Sequence, residues 1–283
     1  MPDIEPIVLA NGVSMPRRGF GTAPMVGDEA TRAVSVAIEA GYRLVDTAQA
    51  YGNEDAVGRA IRAGGVDRDE LFVTTKFNRD WHHRAGPAQA LAGSLERLGL
   101  DRVDLLLIHW PNPDLDGYVA AWEGMLELLE AGDVRAIGTS NFTPAHLQRL
   151  IDATGTAPHV NQLQCNPWIT RAAERAFHEA NGIVSESWGP LARGWGHDEL
   201  TGDLLADPAV VDAAAAHDCT PGQVVLRWHL QLGLVATVKS ATPERIHENF
   251  AIDGFVLSDD EMARITALDR DGAGIVDPDE FGH

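Results

Sequence analysis

The sequence has few cysteines, no long apolar run and little positive charge. Cys165 and Cys219 are the only cysteines in 283 residues, too few for a disulfide framework, so we expect a reducing environment. No apolar run reaches the roughly 20 residues that span a bilayer. The opening segment MPDIEPIVLANG has neither a basic region nor a long apolar stretch, so we predict no signal peptide. These absences together favour a cytoplasmic protein.

Acidic residues outnumber basic ones, with 42 Asp and Glu against 22 Lys and Arg and a net charge of −20. Such a surface repels the phosphates of nucleic acids and the anionic headgroups of membranes, so neither is an expected partner. The remaining composition, 45% hydrophobic and 23% charged, is typical of a globular protein. The length alone is compatible with one large domain or two smaller ones.

Lysine is the scarcest basic residue, because only Lys76 and Lys239 occur beside 20 arginines. The two lysines could be chance survivors of an arginine-rich composition. Alternatively, both positions need a compact ammonium charge that the planar guanidinium of arginine cannot imitate. The sequence around each lysine is needed to distinguish these two interpretations.

Short apolar runs alternate with amphipathic stretches along the whole chain. We predict strands at 19–21, 42–46, 71–75, 103–108, 134–138, 160–162, 183–187 and 234–238. We predict a first helix that begins with a cap at Asp28 and ends at Gly41, a second over 54–62, a third that begins at Pro87, and a fourth over 118–129 that is closed by Gly132. Three further helices should begin at the pairs Thr143-Pro144, Thr220-Pro221 and Thr242-Pro243, and a last one after Ser258.

About eight strand–helix alternations predict a single (β/α)₈ barrel over residues 1–283, because no linker or repeat divides the chain. A doubly wound sheet is the competing architecture, since it shows the same alternation. The segment IVLANGVSM precedes the first barrel strand and has Asn11-Gly12 at its centre. It predicts a hairpin at the barrel floor.

Polar residues follow nearly every predicted strand. They are Asp46, Lys76, His109, Ser140, Asn141, Gln162, Trp188 and Lys239. Each of them alone has an ordinary structural explanation, such as a helix cap, a turn or a satisfied core histidine. In a parallel barrel, however, the carboxyl ends of all strands lie on one face, where active sites are built. The full set therefore predicts an active site at that face.

Asp46, Tyr51, Lys76 and His109 form a chemically coherent group. A phenol keeps its proton at neutral pH and can donate it, and a nearby ammonium lowers the phenol pKa. Asp46 could neutralise the buried ammonium, and His109 could orient a carbonyl oxygen or relay a proton. The group predicts protonation of a carbonyl oxygen while a hydride from a nicotinamide cofactor attacks the carbon.

The segment Lys239-Ser240-Ala241-Thr242-Pro243-Glu244-Arg245 is the better of two candidate phosphate sites. It brings an ammonium, two hydroxyls and a guanidinium to a predicted helix N-terminus, where free amides attract anions. The alternative is an ordinary helix start with charged residues around it. The other candidate, Gly19 to Pro24, is only a partial GxGxxG pattern and is a weak signal.

Several separated motifs together resemble those of the aldo-keto reductase superfamily. The segment at 41–58, GYRLVDTAQAYGNEDAVG, is similar to the long first signature of the family. The resemblance continues at 74–76, 107–111, 138–142, 160–162 and 239–249, and so covers nearly the whole chain. The segment Ser187-Trp188-Gly189-Pro190-Leu191 is similar to the short prokaryotic branch that includes 2,5-diketo-gluconic acid reductases.

The resemblance implies a barrel that binds NADP(H) across its C-terminal face and reduces a small carbonyl substrate. Tyr51 would be the general acid, supported by Asp46, Lys76 and His109. It implies cofactor contacts by Thr22, Ser140, Asn141, Gln162, Trp188, Leu191, Lys239, Ser240, Thr242, Arg245, Glu248 and Asn249. Both lysines fall on motif positions of the family, which favours the interpretation that these two positions need an ammonium charge. We expect a monomer.

Some positions depart from the usual family pattern. Thr237 and Val238 stand where many members have isoleucine and proline, and Gly189 replaces a common serine. The loop after Lys76 also differs, and this departure concerns the expected substrate wall and not the catalytic group. Candidate wall residues are Trp81, Trp110 and Trp195. Asp269 to Glu280 resembles a calcium loop only partly, and we predict no metal site.

Three functions remain to be compared at this point. The first is an NADPH-dependent reductase of small aldehydes, ketones or dicarbonyls. The second is an aldolase-type barrel that forms a Schiff base on Lys76. The third is a nucleotide-sensing barrel module whose catalysis is vestigial. The complete Asp46, Tyr51, Lys76 and His109 group favours the first.

Overall fold

Eight parallel strands close into a barrel in the computed structural model, which describes residues 4–192 and 202–282. With two short strands before the barrel, the strands are β1 (Ile7–Val8), β2 (Ser14–Met15), β3 (Arg18–Gly21), β4 (Leu44–Asp46), β5 (Phe72–Phe77), β6 (Leu105–Ile108), β7 (Ala136–Ser140), β8 (Val160–Gln164), β9 (Val184–Trp188) and β10 (Val235–Val238). The strands β3 to β10 are neighbours in chain order, and β10 pairs with β3 to close the ring. The predicted (β/α)₈ barrel is confirmed, and the doubly wound sheet is wrong because such a sheet stays open.

Helices connect the strands on the outside of the barrel. They are α1 (Gly27–Ala40), α2 (Glu54–Ala63), α3 (Gly86–Leu98), α4 (Tyr118–Ala131), α5 (Pro144–Thr154), α6 (Ala172–Ala180), α7 (Pro208–Ala216), α8 (Pro221–Gln231), α9 (Pro243–Phe250) and α10 (Asp259–Thr266). None of the helices in the described residues combines the length and the apolar character that a membrane span needs.

Most of the predicted helix starts are present, with two differences. Thr143, Thr220 and Ser258 each accept a hydrogen bond from the amide three residues later and form capping boxes. Asp28, in contrast, lies inside the first turn of α1, where its carboxylate faces the positive end of the helix dipole instead of capping it. Thr242 begins α9, but its side chain makes no capping hydrogen bond.

Alternate residues of each strand face the helices or the barrel interior. Val45, Val73, Leu106 and Ile137 belong to the large apolar cluster that the strands share with the helices. The residues beside them in sequence form a second cluster inside the lower half of the barrel: Leu44, Phe72, Leu105, Leu107, Ala136, Val160, Val184 and Val235. The period of two therefore separates an outer apolar layer from an inner one.

The predicted hairpin covers the N-terminal end of the barrel. Strands β1 and β2 are antiparallel, with Ile7 opposite Met15, and the turn between them contains Gly12 at a φ of 84°. Leu9 and Met15 of this hairpin are buried and join the inner apolar cluster. This end of the barrel is therefore closed by side chains, and the opposite end is left for a site.

Candidate active site

The inner residues change from apolar to polar toward the C-terminal ends of the strands. In β4, apolar Leu44 is followed two residues later by Asp46, and the same alternation places other polar side chains in the upper half of the barrel. These are Lys76 in β5, His109 after β6, Ser140 in β7, Gln162 in β8, Glu186 and Trp188 in β9, and Thr237 in β10. The structure therefore brings the polar residues predicted at the strand ends to one face.

Lys76 lies at the centre of this polar group. Its Nζ donates to Oδ1 and Oδ2 of Asp46 at 2.6 and 2.7 Å and to the carbonyl oxygen of Thr47 at 3.1 Å. It also lies 3.3 Å from the hydroxyl of Tyr51, which stands in the short 3₁₀ turn Gln49–Tyr51 directly after β4. Lys76 is fully buried and Asp46 nearly so, whereas Tyr51 is partly exposed. The phenol hydroxyl therefore lies at the C-terminal opening of the barrel, called the mouth below, with the buried ammonium of Lys76 behind it.

The environment sets the protonation of this group at neutral pH. Burial raises the pKa of Tyr51 above its usual value, and Asp46 adds to this, while the charge of Lys76 lowers it. The expected effect of the ammonium is present, but burial outweighs it, so the phenol is firmly protonated. For Lys76, burial alone would lower the pKa, but Asp46 and Tyr51 overcome it and raise that pKa. The group therefore combines an ammonium with a phenol that still holds its proton.

His109 completes the mouth on the other side of Tyr51. The two rings are 5.5 Å apart between centroids and meet edge to face at 77°. The backbone oxygen of His109 accepts from Asn141 Nδ2, while Asn141 Oδ1 accepts from Trp188 Nε1 at 2.9 Å. Asn141 adopts a left-handed φ of 64°, a conformation that asparagine tolerates better than most residues. Asn141 therefore links the histidine to the indole across the mouth.

The segment after β10 lies at the rim. Lys239, Thr242 and Arg245 are exposed at the start of α9, and the Oγ of Ser240 accepts from the amide of Thr242 at 3.1 Å. Within residues 4–192 and 202–282, neither Lys239 nor Arg245 takes part in an ion pair. Two unpaired cations beside a helix N-terminus form a fitting site for a phosphate group.

Other predicted cofactor residues are hydrogen-bonded or at least partly buried inside the protein. Thr22 is buried and donates its hydroxyl to the backbone oxygen of Asp46 at 3.0 Å. Glu248 accepts from the hydroxyl of Thr220 at 2.8 Å, and Asn249 is buried at the end of α9. Leu191 is partly buried and packs between two apolar clusters. These residues therefore contribute to the structure of the protein around the predicted cofactor site.

Two of the three candidate substrate-wall tryptophans lie in the described residues. Trp81 is half-buried and donates its Nε1 to Gln49, whose turn carries Tyr51. Trp110 is buried beside His109, at 6.4 Å between ring centroids, and contacts Phe281 at 4.7 Å. Trp195 lies outside the described residues.

The sequence analysis did not single out Glu186 or Phe281. Glu186 could have been found, because an acidic residue two positions after Val184 lies on the same, inner face of the strand. Phe281 could not, since nothing near it in sequence indicates that the C-terminal segment returns to Trp110. Among the described residues, no group of three or more His, Cys, Asp and Glu is placed to hold a metal ion.

A cavity of about 410 Å³ lies at the opposite end of the barrel, beside the hairpin. It is bordered by the N-terminal ends of strands, including Arg17, Arg43 and Phe72. The polar group around Lys76 does not line it. Active sites of parallel barrels are built at the C-terminal face, so this cavity is not the candidate site.

Comparisons with known proteins agree with this geometry. The sequence profile of the aldo/keto reductase family matches residues 15–270. The chain is 47% identical over 279 residues to 2,5-diketo-D-gluconic acid reductase B of a Corynebacterium species, covering 99% of this chain and 98% of that protein. It is 44% identical over 277 residues to the methylglyoxal reductase DkgA of Escherichia coli, covering 98% of each. A crystal structure of a Gox0644 mutant in complex with NADPH superimposes with a TM-score of 0.90 at 39% identity, covering 98% of both chains.

Proposed function

The chain belongs to the aldo/keto reductase family, and from this premise we propose that it is an NADPH-dependent reductase of small aldehydes, ketones or dicarbonyls. The observation that carries the proposal is the contact of Lys76 Nζ with both Asp46 and the Tyr51 hydroxyl. A protonated phenol at the mouth, backed by a fixed ammonium, is suited to protonating a carbonyl oxygen.

The residues at the mouth have distinct roles in this proposal. Bound NADPH would supply the hydride that reduces the carbonyl carbon. Tyr51 would give its phenolic proton to the carbonyl oxygen, which becomes the alcohol hydroxyl. The phenolate that remains would be stabilised by Lys76, whose own charge is balanced by Asp46. His109 would orient the carbonyl oxygen next to the phenol.

The residues around the mouth fit nicotinamide adenine dinucleotide phosphate. Ser140, Asn141 and Gln162 offer amide and hydroxyl groups that could hold the nicotinamide carboxamide, and Trp188 offers a ring for stacking. Lys239, Ser240, Thr242 and Arg245 would hold the 2′-phosphate at the start of α9, with Glu248 and Asn249 beside the adenine. The relative with NADPH bound supports the assignment, as do Lys239 and Arg245, which are exposed and have no ion pair with any residue that the structure describes.

The Schiff-base aldolase is disfavoured by the state of Lys76. An amine that attacks a carbonyl has to lose its proton, which usually requires a lowered pKa. Here Asp46 and Tyr51 raise the pKa of Lys76, and both carboxylate oxygens of Asp46 hold the ammonium.

The direct test is a panel of carbonyl substrates with purified protein. We expect oxidation of NADPH in the presence of methylglyoxal, 2,5-diketo-D-gluconate or simple aldehydes, and slower oxidation of NADH at equal concentration. A mock reaction without the carbonyl controls for spontaneous loss of the cofactor. Tight NADPH binding without turnover of any carbonyl would instead support the nucleotide-sensing module.

A further inference from the structure

Glu186 is a buried carboxyl group in the catalytic half of the barrel, and no step of the proposed reaction uses it. It lies in β9 and is 1% exposed. In the sheet register it stands opposite Gln162 of β8, whose Nε2 donates to Asp46 Oδ2 at 3.0 Å. Gln162 therefore lies between Glu186 and Asp46, whose carboxylate holds Lys76.

The hydrogen bonds of Glu186 leave half of its carboxyl group unsatisfied. Thr237 of β10 donates its hydroxyl to Oε1 at 2.6 Å. The other oxygen, Oε2, has no hydrogen-bond partner among residues 4–192 and 202–282. Lys76, the nearby cation, donates to both oxygens of Asp46 instead. A buried carboxylate without its own cation is costly, so this arrangement favours the protonated acid.

The neighbouring strand makes room for Thr237. Strand β3 has glycine at its two inner positions, and a Cβ at Gly19 would collide with the Thr237 hydroxyl. At Gly21, a Cβ would lie 3.2 Å from Thr237 Cγ2. The two glycines of β3 therefore leave the space that the side chain of Thr237 occupies beside Glu186.

The charges around Glu186 oppose one another. Burial and the negative charge of Asp46 raise its pKa, while the hydrogen bond from Thr237 and the charge of Lys76 lower it, and the net effect is a pKa of about 7. Glu186 thus changes charge near neutral pH.

The ionised form of Glu186 also acts on the proton donor. The titratable groups that face it are Asp46 from β4, Lys76 from β5 and Tyr51 from the turn after β4. Its negative charge raises the pKa of Tyr51 and that of Lys76. A phenol with a higher pKa gives up its proton less readily, so it is a weaker general acid.

We propose that Glu186, held by Thr237, is a positioning residue for the proton donor: the negative charge of its ionised form makes Tyr51 a weaker acid and slows carbonyl reduction. This inference rests on the proposed function, because it concerns the rate of that reaction. Glu186 touches neither substrate nor cofactor in this proposal, so its ionisation reduces the rate without abolishing it.

The test is the pH dependence of kcat/KM. In the wild-type enzyme we expect an active plateau at acidic pH and a second plateau above neutral pH that is about threefold to tenfold lower. Glu186→Gln keeps the shape of the side chain but cannot ionise, so this step should disappear. Thr237→Val removes the donor that favours the ionised form, so the step should move to higher pH. Persistence of the same step in Glu186→Gln would overturn the proposal.

A matched control is Glu54→Gln, which alters a second buried glutamate. Glu54 accepts from Thr75 at 2.6 Å, as Glu186 accepts from Thr237, but its other oxygen binds Arg97 outside the barrel. The step should remain in this variant. Its loss there as well would show that any buried glutamate produces the effect, which contradicts the specific role of Glu186.

An infrared titration of the cofactor-free protein separates this inference from the proposed function. We expect the carbonyl stretch of a protonated carboxyl group to decrease through neutral pH in the wild type and to be absent in Glu186→Gln. An active enzyme without this titration, or with a flat pH profile, would overturn the inference and leave the reductase intact. A protein that reduces no carbonyl at any pH would instead overturn the proposed function.

Discussion

The only two lysines of this sequence occupy opposite environments. Lys76 is fully buried in the barrel and bonded to both oxygens of Asp46, whereas Lys239 is exposed at the rim and has no ion pair within the described ranges. A buried ammonium is stable only when its counter-charge is part of the fold. An exposed cation without a partner can bind an anionic ligand from solution. The same residue type is therefore paired in the interior at one site and exposed without an ion pair in the described ranges at the other.

The largest expected effect comes from the proton donor beside the buried lysine. Tyr51→Phe removes the phenolic hydroxyl but keeps the ring, so the rate of carbonyl reduction should fall by about 10²- to 10⁴-fold. NADPH binding, followed by quenching of tryptophan fluorescence, should stay nearly unchanged. An unchanged rate, or loss of cofactor binding together with the rate, would contradict the role assigned to Tyr51.

The comparison of the two lysines predicts a difference in stability. Lys76→Met leaves Asp46 buried without its cation, so the free energy of unfolding should fall by about 3–5 kcal/mol. Lys239→Met, the matched exposed variant, should change it by less than about 0.5 kcal/mol. Urea unfolding monitored by circular dichroism measures both values. Equal losses in the two variants would show that the environments do not differ as described.

The exposed lysine should instead control the choice of cofactor. Replacing Lys239 or Arg245 by methionine removes one charge from the proposed 2′-phosphate site, which should weaken NADPH binding by roughly 10- to 100-fold. NADH lacks this phosphate, so its affinity should hardly change. Equilibrium titration of both cofactors gives the ratio. A parallel loss for NADH would indicate that the two residues support the fold and do not bind the phosphate.

A further expected effect is a pH dependence of stability that arises in the interior. Burial lowers the pKa of His178 from 6.5 to about 4, although the charge of Glu174 acts in the opposite direction. The ring nitrogens are hydrogen-bonded to Asn161 and Ser185. Between these two pH values the unfolded chain binds the proton and the folded chain does not, so stability falls as pH drops from 6.5 toward 4.

His178→Gln cannot bind that proton, so its melting temperature should depend less on pH across this interval. His247 is exposed in α9, on the same rim as Lys239, and His247→Gln is the matched control. This control should retain the wild-type pH dependence. Scanning calorimetry between pH 4 and 7 measures the slopes, and equal slopes in all three proteins would exclude His178 as their source.

The fold was predictable because its signals are local. The alternation of apolar runs with amphipathic segments reports each strand and helix separately, and threonine–proline pairs marked the starts of α5, α8 and α9. The cap predicted at Asp28 was wrong because helix ends depend on single backbone conformations. There the chain enters α1 through Val26 in an extended conformation, and Asp28 is already helical.

The candidate site was predictable only in part. Asp46, Lys76 and His109 stand at strand ends, and the geometry of a parallel barrel alone requires that strand ends meet. Glu186 and Thr237 lie inside their strands, so the expectation of polar residues at strand ends did not include them. The contact of Trp110 with Phe281 joins segments that are distant in sequence and carry no shared pattern.

By itself, the sequence determined the order of the elements, the inward alternation of each strand and the residue types available for proton transfer. These properties depend on neighbours a few positions apart, which is the range over which periodicity and capping act. Only the tertiary structure decided that Lys76 is neutralised by Asp46 while Lys239 is not, and that Glu186 shares the interior with both Asp46 and Tyr51. Burial and charge pairing arise when the barrel closes, because closure brings distant strands together and removes water from between them.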